Sequence, residues 1–232
     1  MLMDIFSSFD PHTNYIYSSI SPLLFWTLTS SCMIIIHPSF WIAPNRISWL
    51  LTSPTEIMFS QSSRTLGANN KGFSSTVVPL FMLLISSNLM GLIPYVFSPT
   101  SHLLMTFSLG LPLWFSLIIS SFSFSPKMFM ASLLPSGAPS WLNPALIIIE
   151  TVSIAVRPIT LSFRLAANMS AGHIVLGLMG MATSSLLFNA PLTFSTLMII
   201  QVIYTLFEMG ICLIQAYIFC LLLTLYADDH SH

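Results

Sequence analysis

Residues 143–178 read NPALIIIETVSIAVRPITLSFRLAANMSAGHIVLGL, and this run, apolar on to 189, decides the fold. It is greasy enough to lie in a membrane, yet it carries Glu150, Arg157, Arg164 and His173. Insertion scales put an Arg or Asp at a bilayer centre at about 2.5–3.5 kcal/mol, and simulations of an Arg on an isolated helix give roughly 10–17. Ionisable groups kept at that cost face a protein interior or a water path and mark ion movement. Glu150, Arg157 and Arg164 recur every seven residues, and Asn168 follows four later. Two α-helical turns take about 7.2 residues, so these side chains form one polar stripe. Ser153 and Thr160 widen it. Ile, Leu, Val, Ala and Phe cover the other faces, which can meet lipid.

A second run, 191–227, answers the first. Glu208 is its one charge, and Gln201, Glu208 and Gln215 are again seven apart. FNAP (188–191) between the runs is a turn signal, with Pro191 able to start the second helix. A fold-back there sets Arg164 opposite Gln215 and His173 opposite Glu208, by their matched distances from Ala190. The second run would span about 55 Å as one helix, against a hydrocarbon core of about 30 Å. It must therefore tilt steeply, bend or project, and its apolar length favours tilt.

Of 232 residues, 55% are hydrophobic and 6% charged, where soluble domains average about 25% charged. That balance fits an integral membrane protein and no separate soluble domain. Backbone in lipid must satisfy itself, and continuous apolar runs of about 20 residues indicate helices over a barrel. Net charge is −1, which gives no reason to expect nucleic acid. Cys32, Cys212 and Cys220 lie in apolar runs without metal-ligand or disulfide spacing, so they read as buried small hydrophobes. The opening MLMDIFSSFDPH fits neither a secretory signal nor an Arg-rich transit peptide.

The expected fold is all-α, a single membrane domain over 1–232 with about five membrane helices and one surface amphipathic helix. Residues 1–38 hold a first span at about 16–36, closed by His37-Pro38. Residues 39–74 mix Trp41, Trp49 and Leu50 with Arg46, Glu56, Arg64 and Lys71, as a helix lying on a membrane surface does. GANNKG (67–72) reads as a turn. Residues 75–125 form a helical hairpin, with spans at about 75–97 and 103–124. Asn88 reads as a helix-contact hydrogen bonder and Pro112 as a kink. Residues 138–227 form the long, steeply tilted hairpin. Arg46, Arg64 and Lys71 share one loop, and Lys127 sits in the next of equal parity, which puts both on the matrix or cytoplasmic side. Parity sends the tail YADDHSH (226–232) there too.

Three functions compete: an ion-translocating subunit, a scaffold or assembly subunit whose charges pair, and a membrane enzyme. No Walker A loop, His-Glu-x-x-His or nucleophile set supports the enzyme. His37 and His102 sit at span ends, where capping is the simpler role. Pairing within the chain is possible on paper, but Glu150 and Arg157 lie about 10 Å apart along a helix axis, so their partners are expected elsewhere. A polar corridor accounts for the Gln, Asn, Ser and Thr around the charges, which pairing leaves unexplained.

RLAANMSAGH (164–173), with IETVSIAVRP (149–158) before it and LIQAYIFCLLLTLY (213–226) after, resembles the subunit a family of F-type ATP synthases. NLMGLIPYVFSPTSHL (88–103) and SLGLPLW (108–114) are similar to its animal mitochondrial members. The resemblance implies a stator in the mitochondrial inner membrane, beside a rotating ring of c subunits, with peripheral-stalk and other small membrane subunits as further partners. Two offset half-channels bring protons to and from the ring carboxylates. No nucleotide, cofactor or metal is implied for this chain, and phosphoryl chemistry lies elsewhere. Arg164 matches the family's essential arginine. Glu208 and His173 match positions in the half-channel on the positive side, and Glu150 matches an acid of the matrix-side one. Asn168 and Gln215 match polar positions near the arginine, Gln215 orienting it. Arg157 and Gln201 are secondary.

Overall fold

The computed structural model describes residues 46–93, 96–134, 141–187 and 190–230, together with Phe9, Trp26 and Thr27. Among these residues the architecture is all helix. Helix α1 runs Arg46–Arg64, α2 Phe73–Gly91, α3 Leu103–Phe124, α4 Pro126–Ser132, α5 Asn143–Leu186 and α6 Pro191–His230. Short 3-10 turns, Leu66–Asn69 and Pro99–Ser101, precede α2 and α3. Four helices, α2, α3, α5 and α6, are long and apolar enough to cross a membrane. The expected first span lies outside the described residues, except that Trp26 and Thr27 are helical.

Helix α1 is the expected amphipathic segment. It buries Met58 and Ser62 and leaves Trp49, Leu50, Ile57 and Phe59 exposed. Arg64 in its last turn complements the negative end of the helix dipole. The predicted turn follows, and Gly72 holds φ at 86° as N-cap of α2, a conformation that suits a residue without Cβ. Helix α2 ends earlier than the sequence suggests, at Gly91 rather than near residue 97. Leu92 and Ile93 donate to Leu89 and Met90 in a tightening turn, and Pro94 biases the residue before it away from helix. Helix α3 keeps its expected bounds and runs through Pro112. His102 takes the N-cap position of α3 without a side-chain cap bond, so the expected cap is not made. Its ring lies against Trp26 and Phe97 instead, at centroid distances of 5.4 and 5.1 Å.

The packing order is α1 on α2, α2 on α6, α6 on α5 and α5 on α3. Val77, Phe81 and Leu84 of α2 meet Ala216, Phe219, Cys220 and Leu223 of α6, with Leu161 and Leu165 of α5 in the same core. Outside, Ile148, Ile149, Val152, Ile199, Ile203 and Phe207 are exposed, which lipid accepts and water would not. The many serines and threonines fit this setting because their hydroxyls bond backward to the carbonyl three or four residues before. Ser87 to Leu84, Ser121 to Ile118, Ser162 to Pro158 and Thr224 to Leu221 are examples.

Two dimensions position the site. Helix α5 has 44 residues and α6 has 40, so they run about 66 and 60 Å. Helices α2 and α3, at 19 and 22 residues, match a bilayer core of about 30 Å. The hairpin is thus twice the length of its neighbours and must lie steeply tilted. Helix α5 ends at Leu186 and α6 begins at Pro191, and Phe188 and Asn189 of the expected FNAP turn lie outside the described residues. At the far end α6 runs past the apolar block to His230, and Asp228 accepts a hydrogen bond from the Gly67 N–H at 3.0 Å. The Gly67 turn and the last turn of α6 therefore share one end of the bundle, in agreement with parity.

Candidate functional site

The polar stripe of α5 touches α6 at Arg157 and at Asn168. Nearest the tail, Arg157 is clasped. Its Nη1 lies 3.4 Å from Asp229 Oδ2, its Nη2 lies 3.8 Å from Glu150 Oε1, and its guanidinium sits 5.1 Å above the Tyr226 ring. Axial spacing alone predicts partners elsewhere for both residues, but extended Arg and Glu side chains together cover two helical turns, and α6 stays helical far enough to deliver Asp229.

Arg164 differs. It is exposed, and among the described residues no ion pair reaches it. Nor does it bond the residue set opposite it. One turn further on, Asn168 Nδ2 donates to Gln215 Oε1 at 2.9 Å. The physical reason is angular: Asn168 turns toward α6 beside buried Leu165 and Met169, while Arg164 falls on the uncovered flank with Phe163 and Ala167. Beyond that pair, the Cys212 thiol meets the Met169 thioether at 3.5 Å.

Glu208 comes next and is 3% exposed. The Tyr204 hydroxyl donates to its Oε1 at 3.1 Å, and its carboxylate lies on the bare backbone of Gly172, where an added methyl would collide with it. His173 follows in sequence, but no ion pair joins it to Glu208 among the described residues. Its Nε2 is buried without a hydrogen-bond partner there, and its ring takes an edge-on contact with Phe9 at 6.2 Å. One residue of helix is about 100° of rotation, enough to exchange the expected His173 contact for Gly172. Gln201 is half-buried on α6, two turns before Glu208. Asn88 is fully buried on α2, yet neither amide atom finds a partner among the described residues, so the helix-contact bond expected of it is not formed there.

Three contributors escaped the sequence reading. Tyr204, one turn before Glu208, was legible as an i, i+4 neighbour. Gly172 was hidden because a glycine in a run of small residues carries no label. Asp229 sits in the stretch that the sequence presents only as an acidic tail. Among the described residues no three His, Cys, Asp or Glu side chains gather as a metal site. Cys212 and Cys220 are free and buried, as their apolar context suggested, and Cys32 lies outside the described residues.

Comparison with known proteins meets this geometry. A family model described as ATP synthase A chain matches residues 16–228. This chain belongs to the ATP synthase A chain family. Similar curated proteins named ATP synthase subunit a come from Locusta migratoria, 36% identical over 99% of both chains, and Artemia franciscana, 37% identical over 99% of this chain and all of the other. That of Albinaria caerulea is 39% identical over 99% of this chain and all of its own. The resemblance carried by RLAANMSAGH and its flanks therefore holds over nearly the whole length. With four apolar helices of spanning length, this member of the ATP synthase A chain family is a multi-pass membrane protein.

Proposed function

We propose that the chain is the proton-translocating stator subunit of the membrane sector of an F-type ATP synthase in the mitochondrial inner membrane, working against a ring of c subunits. The supporting observation is Arg164. It stands on an uncovered flank of α5 with no ion pair among the described residues, while Arg157, seven residues away, holds two acids. A guanidinium stays charged at any physiological pH. Beside a passing rotor carboxylate it favours the ionised form and so promotes proton release. Between two half-channels the same charge repels a proton that would cross directly.

In this reading Glu208, with His173 near it, serves the half-channel on the positive side. Glu150 serves the one on the matrix side. Asn168 and Gln215 form the polar backing of the Arg164 flank, and Gln201 extends the polar line of α6 toward the turn. The membrane potential supplies about 2.3 kcal/mol per proton per 100 mV. Neither half-channel need cross the bilayer, so the chain has only to hydrate two short routes and keep them apart.

A scaffold function finds its support at Arg157, whose contacts tie α5 to the last turn of α6. Arg164→Ala separates the two readings. The stator reading expects an assembled ATP synthase that hydrolyses ATP without pumping protons, read by acidification of inverted membrane vesicles. Coupled pumping at the parental rate would defeat it; loss of assembly with residual complexes still pumping would favour the scaffold.

A further inference from the structure

The seam between α5 and α6 is built in layers. Asn168 bonds Gln215 in one, and Glu208 lies on Gly172 in another. Between them the Cys212 thiol donates to the Met169 thioether at 3.5 Å. Met169 is 4% exposed and Cys212 is 1% exposed. Glu208 and Gln215 lie seven residues apart on α6, so their layers are separated by about 10 Å along its axis. That gap is short enough for a few waters to bridge.

Sulfur makes a poor bridge. A thioether is a weak acceptor and a thiol a weak donor. An internal water needs two to four polar partners to stay bound, and here the single thiol hydrogen is already committed to Met169. We infer that the Met169–Cys212 pair is an insulating layer, which keeps a proton held at Glu208 from passing down the helix seam to Asn168, Gln215 and the Arg164 flank. The inference rests on the reading of Glu208 as a proton carrier. With the seam shut, the route between the two half-channels runs only through the rotor. The charge of Arg164 guards the open flank, while the sulfur layer guards the interior.

The test uses assembled ATP synthase in membrane vesicles, with a rotor whose ion-carrying carboxylates are changed to amides. Rotation-linked proton flow is then absent, and only leak remains. Met169→Gln places an amide of similar length between the two polar layers. It is expected to raise proton conductance at least fivefold over the parent, whereas Met169→Leu, which keeps the layer apolar, leaves it at background. Equal conductance in all three overturns the inference. A serine at 212 would be uninformative, since serines in these helices bond their own backbone. A second measurement needs no variant: a water-soluble methanethiosulfonate reagent should leave Cys212 of the parent complex unmodified from either side, and rapid modification would show a wet seam and defeat the inference. Failure of the underlying reading looks different, since Glu208→Gln with a normal rotor would then leave coupled proton flux unchanged.

Discussion

Two arginines seven residues apart on one helix meet different fates. Arg157 has two acids and an aromatic face; Arg164 has none of these among the described residues. The periodicity that picked out both cannot tell them apart, because a repeat of seven fixes which face a residue takes and not what a second helix brings to it. The same limit explains which neighbours make the contacts along the facing stripes. Counting outward from the turn gave Arg164 with Gln215 and His173 with Glu208, whereas the contacts are Asn168 with Gln215 and Gly172 with Glu208. The first differs by one turn and the second by one residue. Gly172 yields a sharp expectation. A methyl there collides with the far end of a side chain that can move, so Gly172→Ala should assemble at near-parental levels while displacing the Glu208 carboxylate. Coupled proton flux is expected to fall several-fold, measured as ATP-driven acidification of inverted vesicles; parental flux would show that the placement of this carboxylate is immaterial.

At the scale of elements, most of the plan was readable because long apolar runs bounded by Pro, Gly and Asn leave few alternatives in lipid. Helix α3 keeps its expected ends and α1 its amphipathic character. Helix α2 is shorter than its apolar run suggests, since residues beyond Gly91 resemble more span while the backbone tightens at Leu92 and Ile93. Helix α6 runs past its expected end at 227, since two aspartates after an apolar run resemble solvent tail. They are instead its last turn, docked by Asp228 on Gly67 and by Asp229 on Arg157. How much that second contact contributes follows from its exposure: the Arg157 side chain is 27% exposed and that of Asp229 49%. A screened pair of this kind is worth roughly 0.2–1 kcal/mol. A double-mutant cycle of Arg157→Gln and Asp229→Asn, scored by thermal stability of the purified complex, should give a coupling inside that range that shrinks further at high salt. Gly67 is the tighter joint, because a Cβ there would stand 2.7 Å from that of Ala227. Gly67→Val should weaken docking of the α6 end more than loss of the ion pair does, seen as faster amide exchange over 224–230.

For the whole molecule, length decides posture. A helix of about 60 Å inside a hydrocarbon layer of about 30 Å lies roughly 60° from the membrane normal, while α2 and α3 fit nearly upright. Structure determination of the assembled complex in lipid nanodiscs should find α5 and α6 in that posture, and an upright hairpin with half its apolar surface in water would contradict it. This tilt was legible from residue counts alone. The interlock of distant segments was not, because it depends on where helix ends arrive in space. One such interlock reaches into biosynthesis. The backbone N–H of Gly67 waits for an acceptor encoded 161 positions later. At a translation rate of about 5–20 residues per second, that is a delay of roughly 8–32 s. During that interval this amide has only water or lipid headgroups to bond, and the early loop rests on its packing between the first two helices until the ribosome delivers the final turn that fastens it.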